Sequence, residues 1–115
     1  MTQKRFAKIA LSGIFLVALT AATPAFAINA STDGANAYTS GSNNAYANVK
    51  DTAKDGHPVK AQYYRLNSSG TMRTLWEKRG YGYTGKSGSG SWILKIRACE
   101  YINAWPDECS SWDDD

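Results

Sequence analysis

The sequence predicts an all-β fold: a small sandwich or barrel of about five to six antiparallel strands, with one disulfide. Three observations carry that expectation. First, Trp92, Leu94, Ile96 and Ala98 alternate with Lys95 and Arg97, the period of two that marks a half-buried strand. Second, short strand-like segments recur about every 8–15 residues, with Gly, Asn, Ser and Asp between them. Third, the only two cysteines, Cys99 and Cys109, flank a short loop directly after the clearest strand.

In chain order, residues 1–27 read as a signal peptide. Lys4, Arg5 and Lys8 form a positive start, an apolar run over 9–22 follows, and Ala25-Phe26-Ala27 ends it with an Ala-x-Ala cleavage site. The apolar run is shorter than the roughly 20 residues of a membrane span. Cleavage is expected after Ala27, so no stable span is expected afterwards. Removing 27 of the 115 residues leaves 88, enough for one domain in which a cross-link matters. Ten of the thirteen Lys and Arg remain, against all ten Asp and Glu, so the mature chain is formally neutral. That removes the basic stripe expected of a nucleic-acid binder.

Residues 28–44 are rich in Ala, Ser, Asn and Gly, and the expectation is a flexible N-terminal leader to a single β domain over 45–115. Residues 45–52 read as the first strand. Asp55-Gly56 then signals a hairpin, and Pro58 opens a second strand over 59–66, where its missing N–H is harmless. Asn67 to Gly70 reads as a turn and 71–78 as a third strand. Residues 79–91 are glycine-dense, with Tyr81 and Tyr83 alternating with glycines as a short strand or aromatic loop. The chain then reaches the strand at Trp92, the Cys99–Cys109 loop with Trp105-Pro106 in it, and a tail in which Trp112 is expected to fold back.

In an exported chain two lone cysteines are expected to pair. The ring they close stabilises by about 2.5–3 kcal/mol through loop entropy. No cofactor and no metal set is expected, since thiolate ligation would need partners that one distant histidine does not supply.

Catalytic candidates fall short. His57 sits in a turn, where a general base would need a pocket and an orienting partner. Asp51, Asp55, Glu77, Glu100, Asp107 and Glu108 offer carboxylates for glycoside hydrolysis, but nothing in the sequence fixes a pair at the required separation. Lys86 precedes the glycines of 87–91 and a strand follows them, the reverse of a phosphate-binding P-loop. No enzyme is expected.

The aromatics are the clearest functional signal. All three Phe lie within 1–27, while all four Trp and all seven Tyr lie beyond it. Such side chains, apolar with a polar tip, suit half-exposed binding surfaces as well as cores. Tyr64, Tyr81, Tyr83, Tyr101 and Trp105 are the expected binding-surface residues.

Asp55-Gly56-His57-Pro58-Val59, Arg73-Thr74-Leu75-Trp76, Gly88-Ser89-Gly90-Ser91, Ile96-Arg97-Ala98-Cys99 and Pro106-Asp107-x-Cys109-Ser110-x-Trp112 together resemble small secreted proteins of actinobacteria such as streptomycetes. The resemblance spans nearly the whole mature chain. It implies export and a single disulfide loop, and transfers no activity and no functional residues. The resulting expectation is a secreted, monomeric, non-enzymatic module that binds an extracellular protein or glycan. The alternatives are a secreted antibacterial toxin, disfavoured by the absence of a long amphipathic helix, and an inhibitor of an extracellular hydrolase that presents Trp105-Pro106 on the stapled loop.

Overall fold

A computed structural model describes residues 26–114. The expected signal peptide therefore lies outside the described residues, apart from Phe26 and Ala27. In chain order the strands are β1 (Asn29–Thr32), β2 (Ala35–Ser40), β3 (Tyr46–Asp51), β4 (Val59–Arg65), β5 (Ser68–Glu77), β6 (Thr84–Lys86), β7 (Ile93–Glu100), β8 (Glu108–Cys109) and β9 (Asp113–Asp114). They form two antiparallel sheets. One runs β1-β2-β3-β6; the other runs β5-β4-β7-β8, with β9 also pairing with β7. No described helix is long and apolar enough to cross a membrane.

The two sheets face each other across one core, as a sandwich. The four-stranded sheet contributes mostly small side chains: Ala30, Ala35, Ala37, Ala47 and Val49. The five-stranded sheet contributes Val59, Ala61, Tyr63, Ile93, Ile96 and Ala98. Alternation puts Val59, Ala61 and Tyr63 inward, so Lys60, Gln62 and Tyr64 lie on the outer face of β4.

Arg65 closes one end. It is buried, yet its guanidinium donates to the carbonyls of Ala45 (3.0 Å), Ser91 (2.7 Å) and Gly88 (3.0 Å). A buried cation is tolerable when its donors are satisfied in this way. The glycine-dense loop is shaped around it: a Cβ on Gly90 would come within 2.7 Å of the guanidinium.

The all-β class and the Cys99–Cys109 disulfide hold. The two cysteines are direct cross-strand partners on β7 and β8, with Cα atoms 4.0 Å apart. Several expectations are corrected. Residues 28–44 are not a flexible leader: they carry β1, β2 and a 3-10 turn at Ser42–Asn44, and Ile28, Ala30, Ala35 and Ala37 are buried. Their small alternating side chains fit a sheet packed on bulkier residues. These strands, with the two-residue pairs β8 and β9, raise the count above five or six.

Asp55-Gly56 is not a hairpin turn. β3 is already flanked by β2 and β6, and β4 by β5 and β7, so residues 52–58 cross between the sheets. Two-residue hairpins stand instead at Asp33-Gly34, where Thr32 pairs with Ala35 and Gly34 has φ +87°, and at Leu66-Asn67, where Arg65 pairs with Ser68, so Ser68–Gly70 belong to β5 and not to the expected turn. The phase of β7 also breaks. Tyr64 pairs with Lys95 and Arg65 with Ile93, leaving Leu94 as an extra residue. This bulge places Ile93 in the core and leaves Leu94 only half-buried.

Candidate functional site

Two features stand apart from the packing: the outer face of the five-stranded sheet, and a group of acids at one end of the sandwich.

The outer face is built by register. Lys60 lies between Trp76 and Cys99, Gln62 between Thr74 and Arg97, and Tyr64 beside Lys95. An aromatic pair stands at each end. Trp76 meets Tyr101 edge-on at 6.1 Å, and Tyr64 meets Trp112 at 5.3 Å. The separation along β4 from Lys60 to Tyr64 is about 13 Å at strand rise.

Cations cover both pairs. Lys60 and Lys78 lie 4.9 and 5.1 Å from the Trp76 ring centroid. Lys95 lies over both Tyr64 and Trp112, and Arg97 is 4.6 Å from Trp112. Ring quadrupoles attract such cations and fix their position. Arg97 is held further by donating Nε–H to Gln62 Oε1 at 2.7 Å. Lys60 is paired with Asp107, but Lys78, Lys95 and Arg97 form no ion pair with any described carboxylate. The face therefore presents ring-positioned cations, with Asp114 opposite Lys95 in the ladder but not in ion-pair contact with it.

The binding-surface residues expected from sequence divide among three places. Tyr64 and Tyr101 belong to the outer face. Tyr81 and Tyr83 are exposed on the loop before β6, beneath Lys54 and Arg79. Trp105 is 73% exposed, on the loop between β7 and β8. Sequence reading missed Lys78, Lys95, Arg97 and Trp112 as parts of the face. The alternation of Lys95 and Arg97 opposite a buried row was the available signal for two of them.

Three buried carboxylates mark the other feature: Asp51 and Glu77, each 2% exposed, and Glu100, 5% exposed. Glu77 and Glu100 are both register partners of Val59, on either side of it. Glu77 has a permanent partner: Arg79 binds it through Nη2 at 2.6 Å and holds it below the ordinary carboxyl range. Asp51 Oδ1 accepts the Ala53 N–H at 3.2 Å.

Glu100 has no such partner. Its Oε2 is buried with no hydrogen bond. Around it stand Asp55 and His57 from the 52–58 crossover. His57 Nδ1 is 3.6 Å from Asp55 Oδ2 and 3.8 Å from Glu100 Oε2. The crossover is shaped by Asp55 Oδ1, which accepts the His57 N–H at 3.0 Å. Gly34 closes the group, since a Cβ there would run into Glu100 Oε2. Burial pushes the Glu100 carboxyl up to about 7, and Asp55 beside it adds to the rise. Hydrogen bonding with Glu100, then the His57 N–H, holds Asp55 below its ordinary value. One ligand atom from each of Asp55, His57 and Glu100 lies within 4.8 Å of the other two. His57, read from sequence as a turn residue without an orienting partner, is the neighbour of a buried acid.

No known family model matches this chain, and neither a curated protein nor a solved structure does.

Proposed function

We propose that the protein is a secreted, non-enzymatic binding module that uses the outer face of its five-stranded sheet to hold an anionic extracellular partner, with an acidic polysaccharide as the favoured class. The observation that supports this is the set Lys78, Lys95 and Arg97, positioned over aromatic rings and in ion-pair contact with no described carboxylate. Cations already occupy the ring faces, so the surface favours ligands with carboxylates, sulfates or phosphates over neutral sugars that must stack on bare rings. Arg97 offers a planar donor array suited to such groups.

The test is affinity electrophoresis and tryptophan fluorescence with polygalacturonate, set against a neutral glucan. Saturable binding to the acidic polymer is expected, weakened at least tenfold in a Lys95→Ala/Arg97→Ala variant and by added salt. Equal binding of the neutral glucan, or binding indifferent to both substitutions, would overturn it.

One observation favours a second reading, inhibition of an extracellular hydrolase. Trp105 is the most exposed aromatic beyond residue 27, on a loop whose ends are joined by Cys99–Cys109. Loss of inhibition of a secreted protease or amylase on Trp105→Ala would identify that activity.

A further inference from the structure

We propose that Asp55, His57 and Glu100 form a site for a divalent transition-metal ion of the zinc class. A carboxylate buried without a permanent cation or a full set of donors is costly, and Glu77 on the other side of Val59 shows the usual remedy, an arginine. Glu100 Oε2 makes no hydrogen bond and lies 3.8 Å from an imidazole nitrogen, and the Asp55 carboxylate with which Glu100 hydrogen-bonds brings no cation.

The donor set selects the ion. Two carboxylate oxygens and one imidazole nitrogen suit zinc and its neighbours, whereas calcium and magnesium seek six or more oxygens. Tetrahedral ligands about 2.0–2.1 Å from zinc are about 3.3 Å from one another. The two separations from His57 Nδ1, 3.6 and 3.8 Å, are a few tenths longer. Asp55 is exposed and His57 half-buried, both on a crossover, so these two can close on Glu100, which the β7 ladder fixes. His57 would bind through Nδ1. Three protein ligands leave a fourth position for water or for a donor on a partner molecule. Two carboxylates balance the ion's charge. The site is on the crossover and the end of β7, so it is independent of the anion-binding proposal for the outer face.

The experiment is a titration of the folded, disulfide-bonded chain with Co2+, read by its visible absorption bands and by displacement with Zn2+. One saturable equivalent is expected, with affinity falling at least tenfold in His57→Ala and in Glu100→Gln. Near-ultraviolet circular dichroism checks the fold of each variant. His57→Ala decides the matter if Glu100→Gln does not fold, since His57 is not part of the core. Absence of a saturable equivalent, or unchanged affinity in folded His57→Ala, would overturn the site. Equally tight binding of Mg2+ or Ca2+ would overturn the zinc-class assignment.

Discussion

Arg65 Nη1 donates to the Ala45 carbonyl at 3.0 Å and thereby ties the end of β4 in one sheet to the chain leading into β3 in the other. The same nitrogen reaches Ser91 at 2.7 Å, and Nη2 reaches Gly88. One side chain thus organises two connections, the β2–β3 link with its short 3-10 turn at Ser42–Asn44 and the glycine-dense β6–β7 loop. Removing it would delete three part-buried hydrogen bonds, each worth on the order of 1 kcal/mol, although the Ala45 and Gly88 carbonyls keep the Gly90 N–H and the Ser87 hydroxyl as donors. Arg65→Ala is expected to lower unfolding free energy by at least about 2 kcal/mol. Gly90→Ala should also destabilise, because its methyl would sit 2.7 Å from the guanidinium. Urea denaturation of the two variants checks both statements, and a wild-type midpoint for Arg65→Ala would refute the first.

The bulge in β7 gives a second prediction, at adjacent residues. Ile93 and Ile96 are fully buried, while Leu94 is not. Ile96→Ala should cost about 2–5 kcal/mol, in the range of core truncations. Leu94→Ala should cost clearly less, although simple alternation places Leu94 on the same face as Ile96. Equal losses at the two positions in chemical denaturation would mean that the strand runs in unbroken phase.

Stability should respond to pH with opposite signs at the two glutamates beside Val59. Glu77 is held below its ordinary value by Arg79, so its contribution is present above the ordinary carboxyl range and is lost as pH falls through its lowered value. Glu100 is pushed up to about 7, so it favours the folded state while protonated. That contribution is full below the unfolded carboxyl value of about 4.5 and falls as pH rises toward 7. With chelator present, Glu100→Gln should flatten the decline between about pH 4.5 and 7, and Glu77→Gln should flatten the loss at lower pH. Thermal melts across that range measure both. A Glu100→Gln profile parallel to the wild type would show that this carboxyl ionises normally in the fold.

Strands β3, β4, β5 and β7 were legible in the sequence because each is a short run with bulky or β-branched residues bounded by turn residues, although only β4 keeps a clean period of two. β1 and β2 were not, because their inward residues are alanines, whose weak hydrophobic signal is easily taken for linker composition. Ala35-Asn36-Ala37-Tyr38 does alternate, and Asp33-Gly34 is a turn pair; together they were the readable signal. Asp55-Gly56 misled because a turn dipeptide specifies a local bend and not which strands pair around it. The disulfide was legible from cysteine number and spacing. The outer face was half legible: tyrosines and Trp105 stood out, but the cations over the rings depend on cross-strand register. Glu100 and His57 are 43 positions apart in sequence, and only the crossover between sheets brings them together.

The Cys99–Cys109 bond also governs what a protease could accomplish here. The segment between the two cysteines is largely exposed, with Trp105 at 73% and Ala104 in a left-handed conformation. A cut there would sever the backbone without releasing the C-terminal piece, which the sulfur link, β8 and β9 still hold against β7. Trp112 would stay over Tyr64, and a nicked population would migrate as intact protein until a reducing agent separated the two fragments.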